Sequence, residues 1–135
     1  MAGEATVTIR VDVTGLGSDF TISNSKVMTA PVEWQSGYTV LTNATSAGLQ
    51  LFALVDHFDL DDIYGVYIKA VVGTVYISVD TADTGTITST TADLVLNVGE
   101  ACYIPVNPGG NLGMVVDGSA VTAAISWLVL AKVTA

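Results

Sequence analysis

Basic residues, cysteine and histidine are scarce in this sequence of 135 residues, and each shortage excludes a class of function. Four Lys and Arg residues stand against thirteen Asp and Glu residues, a formal net charge of -9. The resulting negative field repels phosphate backbones and anionic lipid, so we expect no nucleic-acid partner. The single Cys excludes an intrachain disulfide, and the single His excludes metal sites built from several histidines.

Charge of either sign is also scarce, whereas apolar residues are plentiful. Charged residues make up 13% of the chain and hydrophobic residues 50%, against about 25% charged in an average domain. No apolar run approaches the ~20 residues of a membrane-spanning helix, so we expect no membrane partner. So few charges leave edge strands unprotected against aggregation, which favours burial of part of the surface in an assembly.

The hydrophobic pattern predicts an all-β fold. Val7, Ile9, Val11 and Val13 alternate with polar residues, which is the period of a half-buried strand. About ten such short runs follow one another at the ~8 to 12 residue spacing of a sandwich or barrel. We therefore predict one antiparallel β-sandwich domain over residues 1–135, with about ten short strands.

Turn residues predict where these strands end. Ser23-Asn24-Ser25 and Gln35-Ser36-Gly37 are expected to interrupt the first half of the chain. Val72-Gly73 and Gly99-Glu100 are expected to form hairpin turns between antiparallel neighbours. The most apolar stretch, residues 123–131, is expected to be a central strand buried on both faces.

An acidic segment, residues 56–62, is the first candidate site. It holds four acids and the only histidine, but its spacing does not match an EF-hand loop, which needs acids at positions 1, 3 and 5. One interpretation is a solvated loop whose short acids accept backbone hydrogen bonds. The other is a Ca²⁺ site, with Asp59, Asp61 and Asp62 as the candidate ligands.

The residue types of nucleophilic catalysis do not form a recognisable set. Cys102 alternates with Ile104 and Val106, which predicts a thiol directed into the core, where burial makes it inert. Ser18 lacks the Gly-x-Ser-x-Gly elbow of hydrolases, and His57 is the only residue that could serve as its base. We therefore predict that the protein is not an enzyme and needs no cofactor.

Two aromatic residues are the candidates for a partner contact. Trp34 and Tyr38 flank the predicted turn Gln35-Ser36-Gly37, so we expect them to be more exposed than the other aromatic side chains. Trp and Tyr combine a large apolar body with one polar group, a combination that favours binding surfaces.

The second half of the chain resembles a family of virion proteins. The segments that carry the resemblance are Asp62-Ile-Tyr-Gly-Val-Tyr-Ile-Lys-Ala70, Gly73-Thr-Val-Tyr-Ile-Ser-Val-Asp80, Leu94-Val-Leu-Asn-Val-Gly-Glu-Ala-Cys-Tyr-Ile-Pro-Val106, Leu112-Gly-Met-Val-Val116 and Ile125-Ser-Trp-Leu-Val-Leu130. Over residues 49–133 they resemble the jelly-roll decoration, or cement, proteins of tailed bacteriophages, which bind the outside of the head.

The resemblance implies a function as well as a fold. It implies a jelly-roll sandwich without enzymatic activity, a homotrimer, and binding to the major capsid protein on the outer surface of the virion. A head fibre base, a tail protein or a collar protein would have the same pattern. The alternative from another class is a carbohydrate-binding jelly roll, in which Trp34 or Tyr38 stacks on sugar and Asp59, Asp61 and Asp62 hold Ca²⁺.

Overall fold

The computed structural model of the chain describes residues 4–15, 17–28, 32–41, 49–51, 62–79, 87–106, 114–119 and 122–132. The strands are β1 (Ala5–Val13), β2 (Phe20–Met28), β3 (Val32–Val40), β4 (Leu49–Gln50), β5 (Ile63–Val72), β6 (Val75–Ser78), β7 (Leu94–Leu96), β8 (Ala101–Pro105), β9 (Val115–Gly118) and β10 (Ala124–Lys132). These described residues form ten strands and no helix, which confirms the all-β prediction. The described part of the chain therefore offers no helix that could cross a membrane.

Close contacts divide the chain into two compact units, Met1–Val32 and Glu33–Ala135. The first unit contains β1 and β2, which pair only with each other. The second contains two four-stranded sheets. The sequence had predicted one domain over residues 1–135.

The first unit is an antiparallel hairpin in continuous register from the pair Ala5 and Met28 to the pair Val13 and Phe20. The alternation read from residues 7–13 is confirmed as β1. The predicted interruption at Ser23-Asn24-Ser25 is wrong, because β2 runs through these residues to Met28. Each of the three has a cross-strand partner on β1, so the backbone pairing continues across this polar stretch.

The second unit has the strand order of a jelly roll. One sheet, called sheet B, has the order β3-β10-β5-β8, and the other, sheet C, has the order β4-β9-β6-β7. Four neighbouring pairs are therefore nested along the chain: β3 with β10, β4 with β9, β5 with β8, and β6 with β7. Such nesting is what results when one long eight-stranded hairpin is rolled into two sheets.

This order corrects the two hairpins predicted from turn residues. The turn at Val72-Gly73 joins β5 of sheet B to β6 of sheet C, and the turn at Gly99-Glu100 joins β7 of sheet C to β8 of sheet B. The turns themselves exist: Gly73 and Gly99 both have φ above +70°, and Glu100 N donates to Asn97 O at 2.9 Å. Their local chemistry fixes a change of direction, whereas the sheet that each strand joins depends on distant residues.

The core fills the space between the two sheets. Sheet B contributes the alternate side chains of β5 and β10, and sheet C contributes those of β6 and β9. The buried cluster includes Val66, Ile68, Ile125, Trp127 and Val129 from sheet B, and Val75, Ile77, Leu96 and Val116 from sheet C. Strand β10 lies between β3 and β5 and is buried over most of its length, which confirms the predicted central strand.

A close contact between β3 and β10 explains the residues that had suggested a turn. Strand β3 passes without a break through Gln35-Ser36-Gly37, so the predicted turn is wrong. A Cβ atom at Gly37 would lie 2.6 Å from the Cζ2 atom of Trp127, and Trp127 Nε1 donates a hydrogen bond to Thr39 Oγ1 at 3.1 Å. Gly37 is therefore a site where an indole ring packs directly on the backbone.

The outer side of sheet C carries a buried carboxylate. Asp117 Oδ2 accepts a hydrogen bond from Ile87 N at 3.1 Å, and its Oδ1 accepts one from Gly118 N at 2.8 Å. Ile87 is itself buried, so the segment around it covers this part of β9. Both carboxylate oxygens thus have backbone partners, as a buried charge requires.

We predict that Gly37→Ala destabilises the protein. The added methyl group would overlap the Trp127 ring, and overpacking of this kind costs about 1 to 3 kcal/mol in the free energy of unfolding. Urea denaturation monitored by Trp fluorescence would measure the change. Ser36→Ala is the matched control, because Ser36 is the exposed neighbour on the same strand. Equal stability of the two variants would show that the ring does not need the glycine.

Candidate functional site

The outer face of β3 presents large apolar side chains to solvent. Trp34 and Tyr38 are 63% and 59% exposed, and Val40 is 53% exposed. They share a face because every second residue of a strand points the same way. The prediction that Trp34 and Tyr38 are exposed is confirmed, although they stand on one continuous strand and not beside a turn.

This face continues across the sheet. Leu41 N donates to Ala123 O at 2.7 Å, and Thr39 accepts from Trp127. Leu41 therefore lies beside Ala123, just before β10, whereas Thr39 lies near Trp127 farther along β10. Because residue numbers fall along β3 while they rise along β10, the two strands are antiparallel. Tyr38 is therefore placed beside the stretch 126–128 of β10.

Two further tyrosines extend the row on β5 and β8. Leu128 pairs with Tyr67, and Tyr67 pairs with Tyr103. All three are partly buried and alternate with core residues, so they lie on the side of sheet B that faces away from sheet C. We call Trp34, Tyr38, Tyr67, Tyr103 and Leu128 the aromatic face.

Tyr103 is held in place by a glycine. A Cβ atom at Gly65 would overlap the phenol ring of Tyr103, so the ring lies directly over the backbone of β5, on its neighbouring strand. Aromatic cover of a strand glycine protects its exposed backbone. Desolvation by this partial burial raises the pKa of the Tyr103 hydroxyl.

The aromatic face is poor in charge. Among the described side chains of the outer side of sheet B, the Lys69 ammonium carries the only charge, and it is exposed. Glu33 alternates with Trp34 on β3 and so points to the other side of the sheet, and Glu100 lies in the turn before β8. On sheet C, Asp93 accepts a hydrogen bond from Val79 N at 2.9 Å, and Asp117 is buried on β9. A partner that meets sheet B therefore meets apolar and hydroxyl groups, with little of the negative charge that the whole chain carries.

Cys102 lies on the opposite side of β8, as its alternation predicted. Its side chain packs against the buried cluster, and desolvation by burial raises the pKa of the thiol. A raised pKa leaves less of the nucleophilic thiolate at neutral pH. His57, the only histidine of the chain, lies outside the described residues.

The acidic segment is described only at its last residue. Asp59 and Asp61 lie outside the described residues, whereas Asp62 is buried at the start of β5. Among the residues that the structure describes, no group of three or more His, Cys, Asp or Glu side chains is placed to hold a metal ion. The proposed Ca²⁺ ligands Asp59, Asp61 and Asp62 therefore stay a prediction.

Comparison with known proteins adds no relative. No protein-family model, no curated protein and no solved structure matches the chain significantly.

We predict that Cys102 reacts slowly with thiol reagents. Because its pKa is raised, the thiolate fraction at pH 8 is lower than in an ordinary thiol, and the rate of iodoacetamide alkylation should keep rising to higher pH. Mass spectrometry of the alkylated chain across a pH series would measure this. A Val79→Cys variant in a Cys102→Ser background supplies an exposed thiol for comparison. Equal pH profiles for the two thiols would contradict the burial of Cys102.

Proposed function

We propose that this protein is a non-enzymatic structural protein of a bacteriophage particle. In this proposal it is a decoration protein of the head, located on the outer surface of the capsid. It binds the major capsid protein as a homotrimer and stabilises the lattice by bridging neighbouring subunits. The observation that carries the proposal is the aromatic face, an exposed and nearly uncharged surface on an otherwise acidic jelly roll.

The size of this face suits a contact with another protein. Four strands about 4.8 Å apart and some 20 to 30 Å long give a sheet face of roughly 400 to 600 Å². That is comparable with the largest apolar patches of monomeric proteins, which are often functional. Exposed Trp and Tyr side chains are also the residue types that contribute most to binding energy at protein interfaces.

Binding to a lattice partner would account for an apolar face on a chain with few charged residues. A chain with 13% charged residues has few side chains to keep an apolar face soluble, and a lattice partner removes that face from water. A contact of this size is individually weak, since a stable interface buries about 1,200 to 2,000 Å² in total. Trimerisation offsets this weakness, because three linked copies bind several lattice sites with avidity.

The resemblance of residues 49–133 to jelly-roll decoration proteins supports the same function. It suggests the head of the virion as the location, with a head fibre base, a tail protein or a collar protein as other positions in the particle. The jelly-roll strand order agrees with the fold that the resemblance implies. An assembled lattice is thus the partner that best accounts for the aromatic face.

We predict that replacing Trp34 and Tyr38 by alanine weakens capsid binding at least tenfold. Together the two substitutions remove the most exposed aromatic area from the face, and each interface aromatic contributes roughly 1 to 2 kcal/mol or more. Co-sedimentation with heads purified from the phage that carries this sequence would measure the loss. Val95→Ala is the matched control, an exposed apolar residue of sheet C. Equal binding by the wild type and the double variant would contradict the role of this face.

Carbohydrate binding is the second candidate, and the position of Trp34 and Tyr38 on one open face favours it. Sugar rings stack their C–H faces on aromatic rings, and a sheet face free of acidic groups suits a neutral glycan. In this alternative Asp59, Asp61 and Asp62 would hold Ca²⁺. The capsid proposal requires neither a glycan nor Ca²⁺, so the two candidate functions differ in their dependence on calcium.

Light scattering after size exclusion, once with calcium and once with a chelator, distinguishes the two. The capsid proposal predicts a trimer of about 42 kDa from chains of 13.9 kDa, unchanged by the chelator. The carbohydrate alternative predicts a monomer whose elution shifts when calcium is removed.

A further inference from the structure

The N-terminal hairpin has two chemically different faces. One carries hydroxyl and charged groups that bind one another: Arg10 Nε lies 3.0 Å from Asp12 Oδ2, Thr21 donates to Asp12 Oδ1 at 2.7 Å, and the Thr8 and Ser25 hydroxyls lie 3.1 Å apart. These groups satisfy each other without a further partner. This polar face is therefore compatible with exposure to solvent.

The other face is apolar near the turn, whereas Asn24 and Lys26 lie on it farther along β2. Ile9, Val11, Phe20 and Ile22 lie on it and are 50%, 53%, 59% and 56% exposed. Val11 and Ile22 are cross-strand partners, and Phe20 pairs with Val13, so the four side chains adjoin one another. We call Ile9, Val11, Phe20 and Ile22 the hairpin patch.

Elementary energetics require a cover for this patch. A two-stranded hairpin is marginally stable in water unless a third strand or a second layer buries its apolar face. The strands β1 and β2 have nine residues each, and they pair only with each other. Each side chain of the patch is at least half exposed, so among the described residues the hairpin face lacks a complete second layer.

The distribution of charge favours other copies of this chain as the cover of the hairpin patch. Residues 1–32 contain two basic and three acidic residues, a net charge of -1, whereas residues 33–135 contain two basic and ten acidic residues, a net charge of -8. Two identical chains repel each other through their acidic parts. The hairpin, which holds half of the basic residues, is the part where copies approach with the least repulsion.

We propose that the hairpin patch is a self-association surface, buried against the same patch of other copies of this chain. In such an oligomer the apolar faces of the hairpins would meet at a shared centre, with the polar faces outward. The proposal deepens the function proposed above and rests on it for the expectation of a homo-oligomer. It adds the surface through which the copies meet.

The area of the patch predicts a weak association. The whole face of a hairpin two strands wide and nine residues long covers roughly 300 Å², so each copy contributes at most about 300 Å². A standard stable interface buries about 1,200 to 2,000 Å². The oligomer should therefore dissociate on dilution, and binding to a lattice would hold the copies together through avidity.

Threonine substitutions test the patch with little effect on the hairpin itself. Val11→Thr combined with Ile22→Thr keeps β-branched side chains that favour strands, but adds two hydroxyl groups to the buried contact. Val27→Thr is the matched control, because Val27 is exposed on the opposite, polar face. Sedimentation velocity of the full chain over a dilution series would give the mass of each variant.

The proposal expects three results together. The wild type should be an oligomer at high concentration, the double variant should sediment as the 13.9 kDa monomer, and Val27→Thr should behave as the wild type. A double variant that stays oligomeric overturns the proposal but leaves the homo-oligomer standing. A wild type that stays monomeric at every concentration overturns both, whereas capsid co-sedimentation tests the lattice contact separately.

Cross-linking provides a readout that does not depend on destabilising the hairpin. In a Cys102→Ser background, Ile22→Cys should give covalent oligomers with a short bismaleimide, visible on a denaturing gel. Val27→Cys should give several-fold fewer, because its side chain lies on the outward face. Equal yields from the two positions would overturn the proposal.

Discussion

The second unit depends on one steric constraint, the packing of the Trp127 indole on the bare backbone of β3. Trp127 belongs to the strand at the centre of sheet B, and its ring leaves no room for a Cβ atom at Gly37. The hydrogen bond from its Nε1 to Thr39 fixes the ring against the same strand. The ring therefore closes the core beneath β3, where the inward residues of that strand are small or polar.

The inward position of Trp127 also determines what the outer side presents. Since side chains alternate along a strand, a β3 that turns Gly37 and Thr39 toward the ring must turn Trp34 and Tyr38 outward. The register of β10, β5 and β8 then aligns Leu128, Tyr67 and Tyr103 with them. The residues of the aromatic face thus point outward because their neighbours in the strands point into the core.

Much of the fold could be predicted from local patterns, and the exceptions have a common cause. Alternation along residues 7–13 and the apolar stretch 123–131 predicted β1 and β10, because the pattern of a strand depends only on residues that are adjacent in sequence. Gly37 suggested a turn, whereas its role is to admit Trp127, 90 residues later in the chain. Val72-Gly73 and Gly99-Glu100 are turns, but only the distant pairing of strands shows that they join different sheets.

The candidate site was only half predictable for the same reason. Trp34 and Tyr38 were predicted to be exposed because they flank Gln35-Ser36-Gly37, although these three residues continue strand β3 and form no turn. Tyr67 and Tyr103 alternate with Val and Ile, a pattern that is equally typical of the core. The strand register places Tyr67 and Tyr103 beside Leu128 on the outer side of sheet B. This register depends on three separate segments of the chain, so no single segment predicts it.

The two apolar surfaces belong to different compact units and differ in chemistry, which suits them to different partners. The hairpin patch consists of Ile, Val and Phe, side chains that gain from burial but make no directional hydrogen bond, so identical copies can supply its cover. The aromatic face adds the Trp34 indole N–H and tyrosine hydroxyls, which a structured partner can satisfy specifically. Because neither area reaches that of a stable interface alone, the proposed self-association and lattice binding would reinforce each other. Each copy held on a lattice would raise the effective concentration of its neighbours.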